Sequence, residues 1–204
     1  IQGLGVFSRK YKIPIYGTRG TLEGIRCCNA LGKLPDGLLC EVRVDETLVL
    51  GGMKICPFSI SHDAREPSGY RIENQEKSVA VATDLGKYDG YTVEHLKNLN
   101  AVVLEANHDI HMLEVGPYPY SLKRRVMGDE GHLSNELSGR LLCDILHDGL
   151  QYVVLGHLSK ENNYEELAYE TVKLEVSFGD NPYQGEDIPM MVAKRDTVSE
   201  VITL

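Results

Sequence analysis

Three stretches of this 204-residue chain end a run of β-forming residues in a side chain that can bind a metal ion. PFSISHD (57–63) carries His62, VAVATDLG (79–86) carries Asp84, and YVVLGHLS (152–159) carries His157. The ends of neighbouring strands meet at one edge of a sheet, so groups placed there can converge. Imidazole nitrogen combined with carboxylate oxygen suits zinc, manganese or iron, and the two oxygens of Asp84 can bridge two ions. A single histidine after a strand is ordinarily a capping or surface residue. Three such endings in one chain put a shared metal site on a par with that reading.

A second constellation lies in LEANHDIHML (104–113) and GHLSN (131–135). Glu105, His108, Asp109 and His111 crowd the end of a buried strand. His132 stands before a helix that Ser134 can cap, and a helix N-terminus favours anions, so His132, Ser134 and Asn135 are candidates to face a phosphate. Glu105 and His132 can form an orienting pair for proton transfer. The alternative is a polar turn over 105–111. For His111, and for His95 and His147 on helical stretches, the ordinary structural role is preferred. The tetrapeptide GHLS occurs at 131–134 and again at 156–159. The first copy precedes a helix and the second follows a strand, so they are not a repeat. Lys123-Arg124-Arg125 follows GPYPYS. A charge run is ordinarily a solvated helix face; beside a metal site, Tyr118 and Tyr120 it becomes a candidate contact for a phosphate backbone.

The elements that must position these groups can be read from periodicity. Helices are expected over 4–12, from a Thr18 cap to Leu31 with Gly32 as stop, and over 92–99, 121–128, 134–149 and 163–176, the last with Asn163 and Glu166 close to a capping box. Strands are expected at 12–17, 38–44, 47–60 with a break at Gly51-Gly52, 69–74 and 77–86 as a hairpin, 101–106, 151–156 and 188–194. The order is β-rich first and alternating β/α second, with no linker or low-complexity segment.

Bulk composition agrees with a globular chain: 42% hydrophobic and 25% charged. No apolar run approaches the ~20 residues that span a bilayer. Five cysteines form no C-x-x-C and sit in apolar segments, as reduced thiols in a cytoplasmic protein would. The net charge is −9, and residues 161–204 hold ten Asp/Glu against three Lys/Arg. That balance opposes a general polyanion footprint, so Lys123–Arg125 and bound metal would have to compensate locally.

SISHDAREPSGYRI, VAVATDLG, LEANHDIHML, GPYPYSLKRRV, GHLSN and LGHLSKENN, in one consistent order from about Gln2 to about Glu175, resemble the YycJ/WalJ group of metallo-β-lactamase-fold hydrolases, relatives of tRNase Z and RNase J. The resemblance implies an α/β αββα sandwich forming one domain over 1–204, with 176–204 an acidic tail holding a final strand. It implies metal ligation by His62, by Asp84 as a bridge and by His157. It implies two divalent ions, zinc or manganese, with a bridging hydroxide as nucleophile. Glu105 and His132 align with the residues that help protonate the leaving group. The implied activity is metal-dependent phosphodiester hydrolysis, with a cytoplasmic 5′-to-3′ exonuclease of DNA as the closest family activity. The family's H-x-H-x-D-H motif is absent, and IQGLGVFSRKYKIPIYGT resembles the segment that directly follows it. The expectation is therefore a sandwich incomplete at its N-terminus, needing an upstream segment to complete the metal cage, with weak metal binding and little or no activity by itself. Two other readings stay open: hydrolysis of a small ester, thioester or lactone, and a non-catalytic fragment or binding module. The oligomeric state is open as well.

Overall fold

The computed structural model describes residues 3–204; Ile1 and Gln2, where the resemblance begins, lie outside the described residues. Residues 3–41 form a small layer with its own core. α1 (Leu4–Tyr11), β1 (Ile15–Gly17), α2 (Arg19–Cys27) and β2 (Leu39–Glu41) bury Leu22, Ile25 and Leu31, with Leu4, Ile15 and Leu39 packed against them. Thr18 caps α2 as expected, its hydroxyl accepting from the Thr21 N–H. The helix stops at Cys27, short of the expected Leu31, and a 3-10 turn over Asn29–Leu31 follows before Gly32 at φ +66°. β1 and β2 pair in parallel.

Seven strands then form one sheet in chain order: β3 (Leu48–Leu50), β4 (Met53–Ser59), β5 (Ser68–Glu73), β6 (Ser78–Ala82), β7 (Ala101–Glu105), β8 (Tyr152–Gly156) and β9 (Met190–Val192). β3 to β6 are antiparallel neighbours, and β6 to β9 run parallel. The apolar run from 47 to 60 does break at Gly51-Gly52. Leu50 pairs with Met53 across a two-residue turn whose glycines sit at φ +56° and +84°, a conformation that a Cβ resists.

Parallel strands need long crossovers, which α3 (Gly90–Leu96), α4 (Ile110–Val115), α5 (Tyr120–Val126), α6 (Asn135–Ile145) and α7 (Glu165–Phe178) supply. Leu141, Leu142 and Ile145 of α6 and Ala168, Val172 and Val176 of α7 are buried in one core with Ala82, Leu104 and Leu155 of the sheet. Each such large side chain contributes roughly 1.5–3 kcal/mol by leaving water, and together they fix the strand ends described below.

The mixed α/β class agrees with expectation. The described residues form the seven-stranded sheet and a separate two-stranded β1–β2 sheet. Three local expectations need correction. α4 begins at the end of the stretch for which a polar turn over 105–111 is the alternative, because the Asp109 carboxylate caps it by accepting from the Met112 N–H. α6 ends at Ile145, not at 149; the His147 ring there donates to Leu99 O and accepts from the Gly149 N–H. No capping box forms on α7, since Asn163 is buried and its amide donates to Ala106 O, Asn107 O and Asn135. Among the described residues no helix is long and apolar enough to cross a membrane.

Candidate metal centre

Strand direction creates the site. β4 is antiparallel to β5 and β5 to β6, so β4, β6, β7 and β8 share one C-terminal edge. Ala82 lies beside Leu104 and Leu104 beside Leu155, while Glu105 lies beside Gly156. His62, Asp84 and His157 follow these ends, the edge where open α/β sheets hold ligands. Asp84 and His157 both have left-handed backbones, φ +59° and +57°. Such conformations cost about 1 kcal/mol or more for residues with a Cβ and cluster at functional sites.

The three side chains converge. His62 Nε2 lies 3.4 Å and His157 Nε2 3.5 Å from the same Asp84 Oδ1. His132 joins them, its ring centre 5.0 Å from that of His62 and 5.2 Å from that of His157. The supporting loop is held by backbone contacts. The His62 Nδ1–H donates to Gly131 O at 3.0 Å, the Asp63 N–H to Glu130 O at 3.0 Å, and the Gly86 N–H to Ser61 O at 2.8 Å. Gly86 is required there, because a Cβ would fall 2.3 Å from Asp129 O.

Glu105 organises the other two imidazoles. It is fully buried, and its Oε1 accepts from His132 Nδ1–H at 2.8 Å and from His157 Nδ1–H at 2.5 Å. Its Oε2 accepts from the N–H groups of Leu85 at 2.8 Å and Leu133 at 3.3 Å. Burial raises the carboxyl pKa, but these hydrogen bonds, led by the two histidines, outweigh it and hold Glu105 below the ordinary range. The hydrogen bond to Glu105 raises His157.

Asp84, Glu105, His132 and His157 each bring one donor atom within 4.8 Å of the others. Both Glu105 oxygens are already engaged by four N–H donors, so Glu105 suits the role of a positioning residue behind the ligands. The donor chemistry of His62, Asp84 and His157 fits a divalent ion. The Nδ1 atoms of both histidines are anchored, which leaves Nε2 as the free lone pair. Two donors about 2.0–2.1 Å from one tetrahedral ion stand about 3.4 Å apart, close to the 3.4 and 3.5 Å observed.

Residues 1–157 match the sequence family described as the Beta-lactamase superfamily domain. The chain belongs to that superfamily. It is 36% identical over 172 residues to the exodeoxyribonuclease YycJ of Bacillus anthracis and, equally, to the exodeoxyribonuclease WalJ of Streptococcus pneumoniae, covering 84% of this chain and 64% of each relative. The chain thus spans just under two thirds of the length of these relatives. Two solved structures share its fold: zinc-bound PqqB from Methylobacterium extorquens (TM-score 0.61, 16% identity, 95% of this chain and 66% of that one) and the metallo-β-lactamase fold protein YhfI from Bacillus subtilis (0.59, 16%, 89% and 62%).

A groove of about 630 Å³ opens beside His132 and His157. Of the basic cluster, Arg125 borders it, and its Nη2 donates to Asp63 Oδ1 at 3.0 Å. Lys123 Nζ donates to Glu114 O, and Arg124 borders a separate depression with Lys87 and Asp129. Ser134 and Asn135 do not reach the groove. Ser134 is buried as the cap of α6, accepting from the Leu137 N–H, and Asn135 is buried against Asn163. His111 is exposed, and His95 lies 3.1 Å from Asp45 Oδ1, stacked on Phe58. Sequence reading missed two features: the bond from Glu105 to His157, and the groove cations Lys160, Lys194 and Arg195. The pairing of β9 with β8 brings the last two there, a long-range contact that no local pattern announces.

Proposed function

We propose that this centre hydrolyses phosphodiester bonds of nucleic acid, DNA first, as a 5′-to-3′ exonuclease. One observation carries the reading: buried Glu105 holds both His157, whose Nε2 faces Asp84, and His132, which borders the groove. A single carboxylate thereby serves a metal-binding side and a proton-transfer side. The exodeoxyribonucleases YycJ of B. anthracis and WalJ of S. pneumoniae, which the chain resembles, support the same chemistry.

His62, Asp84 and His157 would hold two divalent ions, zinc or manganese. Bound ions of this kind supply Lewis acidity and lower the pKa of water to near neutrality. The chain's own contribution is order. The Gly131 carbonyl fixes the His62 tautomer, and Glu105 fixes those of His132 and His157. His132, oriented through its Nδ1–H by Glu105, would donate an Nε2 proton to the departing oxygen. All five cysteines are free, which supports a cytoplasmic setting.

The test is single-stranded DNA, 5′-labelled, given to the full-length protein with zinc or manganese, beside a panel of lactones and thioesters. Progressive release of 5′ nucleotides, abolished by chelation and by His157→Ala, is the expected result. Turnover of the lactones or thioesters without DNA degradation would move the assignment to small esters. Absence of any hydrolysis and of bound metal would leave a binding module.

A further inference from the structure

The groove carries charge opposite to that of the chain. The protein has a net charge of −9, and its last 44 residues hold only three Lys/Arg. Two of those three, Lys194 and Arg195, line the groove together with Lys160 and Arg125, and among the described residues the only acid on the lining is Glu165. Arg125 is engaged by Asp63, whereas Lys194 Nζ stands 3.9 Å from Glu165 Oε2 in a long, solvent-exposed pair; Lys160, Lys194 and Arg195 are the cations of the opposite wall.

That wall is built by two segments. β9 runs parallel to β8 with Val192 beside Leu155, and the Ala193 N–H donates to Leu155 O at 2.8 Å. The same register carries Lys194 and Arg195 past the strand end alongside His157, and Arg195 Nη2 donates to Leu158 O at 2.6 Å. The loop after β8 supplies Lys160 and leads to Tyr164, which lines the groove and is 53% exposed. A half-exposed aromatic ring beside three cations is the pattern that holds an unpaired strand, in which phosphates meet cations and a base stacks on the ring. All four residues lie beyond the stretch that the superfamily description matches.

We propose that Lys160, Lys194, Arg195 and Tyr164 form a binding track for single-stranded nucleic acid leading into the centre, the cations on successive phosphates and Tyr164 under one base. This deepens and rests on the phosphodiesterase reading. It also resolves the charge conflict: an acidic protein needs its cations for a polyanion gathered in one place.

The experiment measures binding of a fluorescein-labelled oligothymidylate of roughly ten nucleotides to the full-length, metal-loaded protein, across a salt series at low temperature with a phosphorothioate backbone to slow cleavage. Removing one phosphate-binding cation lowers the slope of log affinity against log salt by about 0.7, which is about 5-fold in affinity near 0.1 M salt. Lys160→Ala and Lys194→Ala, on separate segments, should each show this loss. Lys194→Ala and Arg195→Ala combined should show about twice the slope change. Tyr164→Ala should weaken binding at least about 5-fold at unchanged slope, with Tyr164→Phe restoring it. Unchanged affinity and slope in both single lysine variants would overturn the proposal. If the variants bind more weakly as expected but the wild-type protein never cleaves DNA, the phosphodiesterase reading fails and the track stands. If the wild type cleaves DNA and the variants bind as tightly as it does, the track fails and the phosphodiesterase reading stands.

Discussion

The His157 Nδ1–H donates to Glu105 Oε1 at 2.5 Å, while Nε2 of the same ring lies 3.5 Å from Asp84. One imidazole therefore connects a buried carboxylate to a half-exposed one. The bond fixes the tautomer and aims the free nitrogen, and the same Glu105 oxygen does this for His132. Outer partners of this kind orient ligands and raise their basicity.

Glu105→Gln tests that linkage. An amide offers one acceptor oxygen where the carboxylate has two, so either the two imidazoles at Oε1 or the Leu85 and Leu133 N–H groups at Oε2 face an NH2 donor, and the arrangement around Glu105 must shift. Zinc affinity should fall about 10- to 100-fold, the range for outer-partner substitutions. Titration calorimetry of the full-length protein measures it. Unchanged affinity would show that Glu105 does not position the ligands.

Gly86→Ala tests the loop that carries Asp84. The new methyl would lie 2.3 Å from Asp129 O and 2.5 Å from Gly131 N, both backbone atoms. Backbone cannot swing aside as a side chain can, so overpacking should cost about 1–3 kcal/mol and separate Asp84 from His62. Urea denaturation should show the midpoint falling, with metal affinity falling alongside it. An unchanged midpoint would mean that the two loops part freely.

His108 gives a pH prediction. It is 2% exposed and burial pushes its pKa down to about 4, from 6.5 for the free side chain. The unfolded chain therefore takes up the proton first. The contribution is present in full above about pH 6.5 and is lost as pH falls towards about 4, up to about 3 kcal/mol in all. His108→Leu should remove that slope. Between about pH 7 and about pH 5 the wild type should therefore lose more stability than the variant, read from the two denaturant midpoints. Parallel losses in the two proteins would refute the assignment.

The strand-end positions of His62, Asp84 and His157 were legible in the sequence because period-two apolar runs mark strands and their ends. Helices α2 and α6 were legible through the caps Thr18 and Ser134. Less legible was anything decided by distant partners. Asp109 reads as one more polar residue until its carboxylate is seen capping α4. Asn163 has the composition of a helix cap, but binding Ala106 O, Asn107 O and Asn135 in a buried cluster satisfies more polar groups. Ser134 and Asn135 stand at a helix N-terminus, as an anion site would, yet burial excludes them from the groove. Lys194 and Arg195 are unremarkable in an acidic tail until β9 pairs with β8.

Whether His62, Asp84 and His157 share one metal site is tested most directly by anomalous diffraction at the zinc edge, from crystals of the full-length, zinc-loaded protein. Density is expected about 2.0–2.2 Å from His62 Nε2, His157 Nε2 or both, with Asp84 coordinating and Glu105 still bonded to the Nδ1 atoms of His132 and His157. Zinc held elsewhere, or density at this edge that Asp84 and His157 do not touch, would contradict the shared site.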